Sequence, residues 1–311
     1  MNIEHIELKF PSSDGIHSVY AEMYVPCDVK PKGIIQLVHG MVDYTGRYKE
    51  MAEYMCKEGY IFAGHHHLGH GRTVEDERDF GFFADKGGTE LVVSDTYRMN
   101  ELLRERFQGL PVVILGHSMG SFITRLYVRK YPHTVKGAII HGTGGPNPLL
   151  PMGKLLARVK IALNGKRHRS KLLTSLSVGA YNKKFPKEEG PHAWLTRDLS
   201  TVEDRSTDPY TSFTFTASGY LDLFRMLGEC NSKRWFREYP KNLPTLIISG
   251  ECDPVGNFGK GPRYVYKQLC LAGQSEVTLK TYEGARHELF NETCRAEVFS
   301  YLAEWIGGII R

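Results

Sequence analysis

In the stretch PVVILGHSMGS, residues 111–121, Ser118 stands between two glycines directly after an apolar run. A serine hydroxyl is a weak nucleophile and attacks a carbonyl only when an adjacent base activates it. G-x-S-x-G serves that chemistry when it follows a strand and opens a helix, because the strained turn leaves no room for bulky residues two before and two after the serine. Both conditions are met around Ser118. Its partners are expected in the chain order acid, then histidine. Glu251-Cys252-Asp253-Pro254 follows the apolar run LPTLIISG, and His287 lies in the segment Glu283 to Glu288 that follows EVTLKTY. Asp253, with Glu251 as the substitute, is expected to hold the imidazole of His287 in one tautomer. His287 then takes the proton of Ser118 and returns it to the leaving group. Two backbone N–H groups are needed for the developing oxyanion: that of Met119, after the nucleophile, and that of Met41, in the early loop His39-Gly40-Met41.

These residues need a scaffold that brings strand ends together. From residue 33 the chain alternates strand and helix. GIIQLV (33–38), YIFAG (60–64), PVVILG (111–116), VKGAII (135–140), LPTLIISG (243–250) and EVTLKTY (276–282) read as strands. Segments 48–58, 91–107, 122–130, 261–271 and 292–306 read as helices. Such alternation predicts an α/β fold, a doubly wound and mostly parallel sheet. The first 25 residues alternate at period two and read as an antiparallel edge. Residues 142–240 hold no clear apolar strand and are expected to form a mainly helical cap. The core is then 1–141 together with 241–311.

At the level of whole motifs the chain resembles the α/β-hydrolase superfamily, and within it the serine aminopeptidase S33-like group that includes monoacylglycerol lipases and bacterial lysophospholipase-like proteins. HGMVDYTGRY, HLGHGRT, GHSMGS, DPYTSFTFTASGYLDL, ISGECDPVGNFGKG and YEGARHELFNE carry that resemblance almost end to end. It implies the same nucleophile, acid, base and oxyanion donors, and a cap over an acyl pocket. One position departs from the pattern: His66 stands where the family's D-x-x-G-H-G motif has an aspartate.

Composition narrows the function. The chain has 311 residues, 41% hydrophobic and 24% charged, with a net charge of +5, the profile of an ordinary globular protein. No apolar run is long enough to span a bilayer, and the start lacks a signal-peptide core. Six cysteines lie scattered without a CxxC pair, as expected of free thiols in the cytoplasm. Seven Lys/Arg and no acid fall within 151–171, leaving the remainder slightly acidic. So local a basic footprint excludes general nucleic-acid binding. Leu155, Leu156, Val159, Ala162 and Leu163 recur at helical spacing beside Lys154 and Arg158. The plain expectation is a cap helix with its apolar face on the body. The sharper one is transient contact of this basic cap with an anionic membrane surface. Adjacent histidines on an extended segment point to opposite faces, so His65-His66-His67 with His70 is read as an ordinary loop and not a metal site.

The expected activity is serine carboxyl-ester hydrolysis through an acyl-enzyme. The substrate would be a monoacylglycerol, a lysophospholipid or a short acyl ester, and the mechanism calls for no cofactor. Two alternatives remain. An aminopeptidase of the proline-iminopeptidase kind would need acids in the cap, where Glu188, Glu189, Glu203 and Asp204 are available. A non-catalytic scaffold would be favoured by loss of a triad member.

Overall fold

The computed structural model describes residues 2–310, apart from the side chains of Asp204 and Ser206. Eight strands form one sheet: β1 (Ile3–Pro11), β2 (Ser18–Pro26), β3 (Gly33–Val38), β4 (Tyr60–His65), β5 (Val112–His117), β6 (Gly137–His141), β7 (Thr245–Gly250) and β8 (Val277–Tyr282). Their order is β1-β2-β4-β3-β5-β6-β7-β8. β1 pairs antiparallel with β2 and β2 with β4, while every pair from β4 to β8 is parallel. The fold is that of an α/β hydrolase.

Among the described residues ten α-helices accompany the sheet. They are α1 (Lys49–Lys57), α2 (Gly88–Arg106), α3 (Met119–Lys130), α4 (Leu150–Asn164), α5 (Lys171–Ser177), α6 (Leu199–Thr207), α7 (Ala217–Cys230), α8 (Lys233–Glu238), α9 (Lys260–Leu271) and α10 (Arg295–Ile309). Strands buried on both faces need apolar side chains at every position, which is why β3 to β7 read as continuous apolar runs. Ile114 joins the core that includes Met99 of α2, Ile123 of α3 and Val265 of α9. Its neighbour Leu115 joins the opposite core, with Met51 of α1 and Leu302 of α10. Of the outer strands, β1 exposes roughly alternate residues, as a sheet edge does, whereas β8 is partly buried along its length and exposes only Thr278.

The expected elements are present, with two shifts of consequence. The helix read from Phe122 starts at Met119, immediately after Ser118. The helix read from Glu292 starts at Arg295, because the Glu292 carboxylate is withdrawn into the loop before it. There it accepts from the backbone N–H of Arg286 (2.9 Å), Arg197 (3.2 Å) and Thr293 (2.8 Å).

Between β6 and β7 the described residues form five α-helices and no strand. The second half of this segment is pinned to α3. Arg125, fully buried in α3, donates to Gly144 O (3.3 Å) and to the carbonyl of Cys230 at the end of α7. Its guanidinium lies 4.4 Å from the ring centre of Trp235 in α8, whose indole N–H donates to Arg125 O at 2.7 Å. Trp235 is wholly buried. Trp235→Ala is therefore expected to cost about 3–5 kcal/mol, as buried aromatic truncations do. Equilibrium urea unfolding checks this, and a loss below about 1 kcal/mol would show that α8 is not an anchor.

Candidate active site

Ser118 carries a backbone that few non-glycine residues adopt, φ 53° and ψ −118°, between the end of β5 and the first residue of α3. Its N–H donates to His141 O at 2.9 Å, and its carbonyl accepts from Ser121 N at 2.9 Å. The flanking glycines are steric necessities. A Cβ on Gly116 would lie 2.3 Å from Gly120 O, and one on Gly120 would lie 1.9 Å from Val38 O. Because α3 begins at once, the Met119 N–H is one of the free amides of a helix N-terminus, where partial positive charge favours an anion.

The loop after β3 packs directly on this turn. A Cβ on Gly40 would come within 3.3 Å of Ser118 Cβ. Val42 holds a left-handed φ of 53°, which carries the loop past Met41. The amides on either side of Met41 hold the loop in shape: Gly40 N–H donates to Asp43 Oδ2 (3.3 Å) and Val42 N–H to His70 Nε2 (3.3 Å).

Asp253 and His287 arrive from the ends of β7 and β8, where open α/β sheets build their sites. Both are buried, with 0% and 2% exposure. Nδ1 of His287 lies 2.9 Å from Asp253 Oδ1. The contact is an ion-pair distance without the alignment of a hydrogen bond, and Asp253 Oδ2 has no partner. Val255 N–H fixes Oδ1 from the other side at 2.8 Å. Glu251, the substitute acid, turns away to Thr281 Oγ1 (2.9 Å) and Arg263 (3.4 Å).

Ser118, Met41, Met119 and His287 line one cavity of about 970 Å³, within the range for ligands of drug or lipid size. Its walls are mainly apolar, including Phe122, Leu150, Leu176, Leu223 and Phe224. The acids that line it among the described residues are Asp43 and Glu288. Of the acids named for an aminopeptidase, Glu189 pairs with Arg286 at 2.5 Å, Glu188 and Glu203 are exposed, and the side chain of Asp204 lies outside the described residues.

Sequence reasoning missed the charged group that fixes these loops to one another. Arg47 reaches Asp43 Oδ1 (3.0 Å) and both oxygens of Glu288 (3.0 and 2.6 Å). Arg205 donates to Val42 O (2.8 Å) and Glu288 Oε1 (3.4 Å), and Tyr48 OH donates to Asp43 Oδ2 (2.6 Å). Burial opposes ionisation of the two acids, but the guanidinium of Arg47 overrides it and holds both well below the usual carboxylate range. A clue was available for three of these charges: Asp43, Arg47 and Glu288 fall inside the motif stretches HGMVDYTGRY and YEGARHELFNE, beside the candidate residues themselves, whereas Arg205 lies in neither.

The histidines of the second loop are buried and packed ring on ring. His67 lies 4.0 Å from His39 of the first loop at a tilt of 36°, and His65 and His67 meet edge-on at 4.9 Å. Among the described residues no group of three His, Cys, Asp or Glu side chains is arranged to hold a metal ion. His66, in place of the family aspartate, still accepts from a loop amide, Arg72 N–H at 2.8 Å. Its Nε2 meets Thr45 Oγ1 at 2.7 Å, and Thr45 in turn donates to Glu22.

A family model describing serine aminopeptidase S33 matches residues 29–294. The chain belongs to that family and is a serine hydrolase. It is 28% identical to the human monoglyceride lipase over 89% of this chain and 82% of that protein. It is 26% identical to a monoglyceride lipase homolog of Monkeypox virus, over 93% and 94%. A carboxyl esterase from Bacillus coagulans, solved in complex with glycerol, superposes with a TM-score of 0.92 at 29% identity, covering 100% of both chains.

Burial holds His39, His65, His67 and His141 well below their ordinary range, His66 and His117 at about 3, and His70 at about 4. An unfolded histidine titrates near about 6.5. Below that pH the unfolded chain binds protons that the native state refuses, so stability falls as pH drops through that range. The urea midpoint is therefore expected to be level above about pH 7 and to fall steeply between about pH 6.5 and 4, with a slope of more than one proton. Equal midpoints at pH 7.5 and 5 would mean that these histidines titrate normally in the fold.

Proposed function

We propose that this protein hydrolyses the ester bond of a monoacylglycerol or similar single-chain acyl ester, with Ser118 as nucleophile, His287 as base and Asp253 as acid. The observation that carries the reading is the pairing of His287 with Asp253 at 2.9 Å beside a mainly apolar cavity shared with Ser118. The names of the relatives support the lipid ester.

In this reading His287 takes the Ser118 proton as Oγ attacks the ester carbonyl. The oxyanion that forms is met by the backbone N–H groups of Met41 and Met119. His287 then passes the proton to the departing alcohol, and water repeats the cycle on the acyl-enzyme. Residues 142–240 act as the cap over the acyl pocket, and 1–141 with 241–311 as the core. An aminopeptidase would need a free acid for the substrate ammonium, whereas Asp43 and Glu288 are both bound by Arg47. All six cysteines are free, which supports a cytoplasmic address.

Hydrolysis should be measured on p-nitrophenyl esters of rising chain length, monoacylglycerol, lysophospholipid and aminoacyl anilides. Ester and monoacylglycerol turnover is expected, falling at least about a thousandfold in Ser118→Ala. Anilide cleavage, or unchanged turnover in the variant, would overturn the reading.

A second observation favours contact with an anionic lipid surface. The plain expectation for α4 was an inward apolar face. That face is present, with Leu150, Leu156, Ala157 and Ile161 packed on the core, but Met152, Leu155, Val159 and Leu163 form a second, outward stripe, with Leu155 60% and Leu163 73% exposed. Leu172 and Leu176 of α5 add to it. An apolar patch of this kind marks an interaction surface, and Arg158, Lys160 and Lys171 belong to the same two helices, while Lys154 reaches toward Gly228 of α7. Other basic residues of the run serve the fold: Lys166 and Arg167 pair with Asp85 (2.9 Å) and Asp79 (2.6 Å), and Arg169 donates to Phe80 O (3.0 Å). No helix of the described residues is long and apolar enough to cross a membrane. The double variant Leu155→Ser, Leu163→Ser is therefore expected to lose flotation with anionic vesicles while keeping turnover of short soluble esters. Equal flotation would sink the membrane reading.

A further inference from the structure

His287 is enclosed on two sides by aromatic rings. Trp194 lies at a centroid distance of 5.2 Å with an interplanar angle of 32°. His117 lies at 4.8 Å and 44°. The stack continues beyond each: Tyr181 meets Trp194 at 5.0 Å, and His141 meets His117 at 4.5 Å.

The indole is held in register with the imidazole. The segment that carries Trp194 is stapled to the loop that carries His287. Glu288 N–H donates to Leu195 O (2.7 Å), Arg286 Nη1 to Ala193 O (2.7 Å), and Thr196 Oγ1 to Asn291 O (2.8 Å). Arg197 Nε closes the staple on Glu292 at 2.9 Å. Trp194 N–H itself donates to Asn182 Oδ1 at 3.1 Å.

We propose that Trp194 is a positioning residue that stabilises the imidazolium form of His287 by a cation–π contact as the proton of Ser118 arrives. The inference rests on the Ser118, His287 and Asp253 reading above. The balance of the step is ordinary: Oγ forms its bond to the ester carbon, the carbonyl π pair moves to oxygen, and the Oγ proton goes to Nε2. Positive charge then sits on the ring beside the indole, within the roughly 6 Å over which an aromatic quadrupole attracts a cation, and tryptophan is the strongest such partner. The contact strengthens as charge develops, so it lowers the barrier and not merely the energy of the bound substrate.

The other neighbour is arranged not to oppose this. Leu289 N–H donates to His141 Nε2 at 3.3 Å, so neutral His141 carries its proton on Nδ1 and donates to His117 Nδ1 at 2.9 Å. Burial, reinforced by the nearness of His287, keeps His117 uncharged at neutral pH. A protonated ring there would repel the imidazolium.

The test replaces Trp194 alone, in the full chain, with tryptophan analogues bearing increasing numbers of ring fluorines, leaving Trp235 and Trp305 natural. Fluorine weakens the quadrupole while nearly preserving shape. The logarithm of kcat on one soluble ester should fall in step with fluorine number, by about two- to thirty-fold across the series, with KM and Tm unchanged. A flat kcat across the series would overturn the proposal even if Trp194→Ala were inactive, because packing alone would then explain the loss. Ser118→Ala and His287→Ala run beside it. If both abolish turnover while the series is flat, only the cation–π contact fails. If either keeps wild-type turnover, the triad reading fails and this inference with it.

Discussion

One backbone conformation organises this molecule: the left-handed turn at Ser118, forced between a buried strand and a buried helix. A non-glycine residue in such a region costs about 1–3 kcal/mol, and it persists only where the surroundings over-determine it. Here they do. β5 is buried on both faces, α3 is buried from Met119 to Val128, and the Ser118 amide is claimed by His141 O. The absence of side chains at Gly116 and Gly120 lets α3 start within contact of the end of β3. The same closeness brings the Gly40-Met41 loop against the serine. The turn, the helix N-terminus and the loop are thus one packing arrangement, and none keeps its place without the others.

Around that turn, buried charge is balanced locally. Asp43 and Glu288 face Arg47 and Arg205, so the loop after β3 and the loop after β8 are joined by buried paired charges at the cavity wall. Removing one member of such a group typically costs about 3–5 kcal/mol, because a charge is left buried and alone. The second loop uses neutral histidines instead. His66 does with Nδ1 what a carboxylate oxygen would do, accepting the Arg72 amide, and the nearby carboxylate, Glu22, is reached through Thr45. The loop is therefore held in place without a carboxylate at position 66.

What the sequence made legible follows from locality. Parallel strands buried on both faces are continuous apolar runs, so β3 to β7 could be read to within a residue or two at most ends. The candidates Ser118 and Asp253 each sit just past such a run, and His287 follows the more polar strand β8, so strand ends were the places to look. Direction was harder. Periodicity showed an apolar stripe on α4 but not which way it faces, and the stripe at Leu155, Val159 and Leu163 turned out to face solvent. Partners distant in sequence left no local trace: Lys166 and Arg167 bind acids more than eighty residues earlier, and Trp194 meets His287 only through the folded chain.

These features imply an asymmetry in the helical segment. Its part nearest His287, residues 189–198, is tied down by Arg286 to Glu189 and Arg197 to Glu292. Its α4–α5 part turns apolar side chains outward. Leu176 belongs to both regions, being 54% exposed on the surface and also part of the cavity wall. The apolar patch and the cavity are therefore continuous at α5. An acyl chain passing from a lipid surface to Ser118 by this route would exchange one apolar environment for another, and little of it would cross water. The fixed part of the segment would meanwhile keep Trp194 on His287. On the proposed reading, substrate access and catalytic geometry are served by different parts of the segment, α4–α5 and the turns at 189–198, so movement in one need not disturb the other.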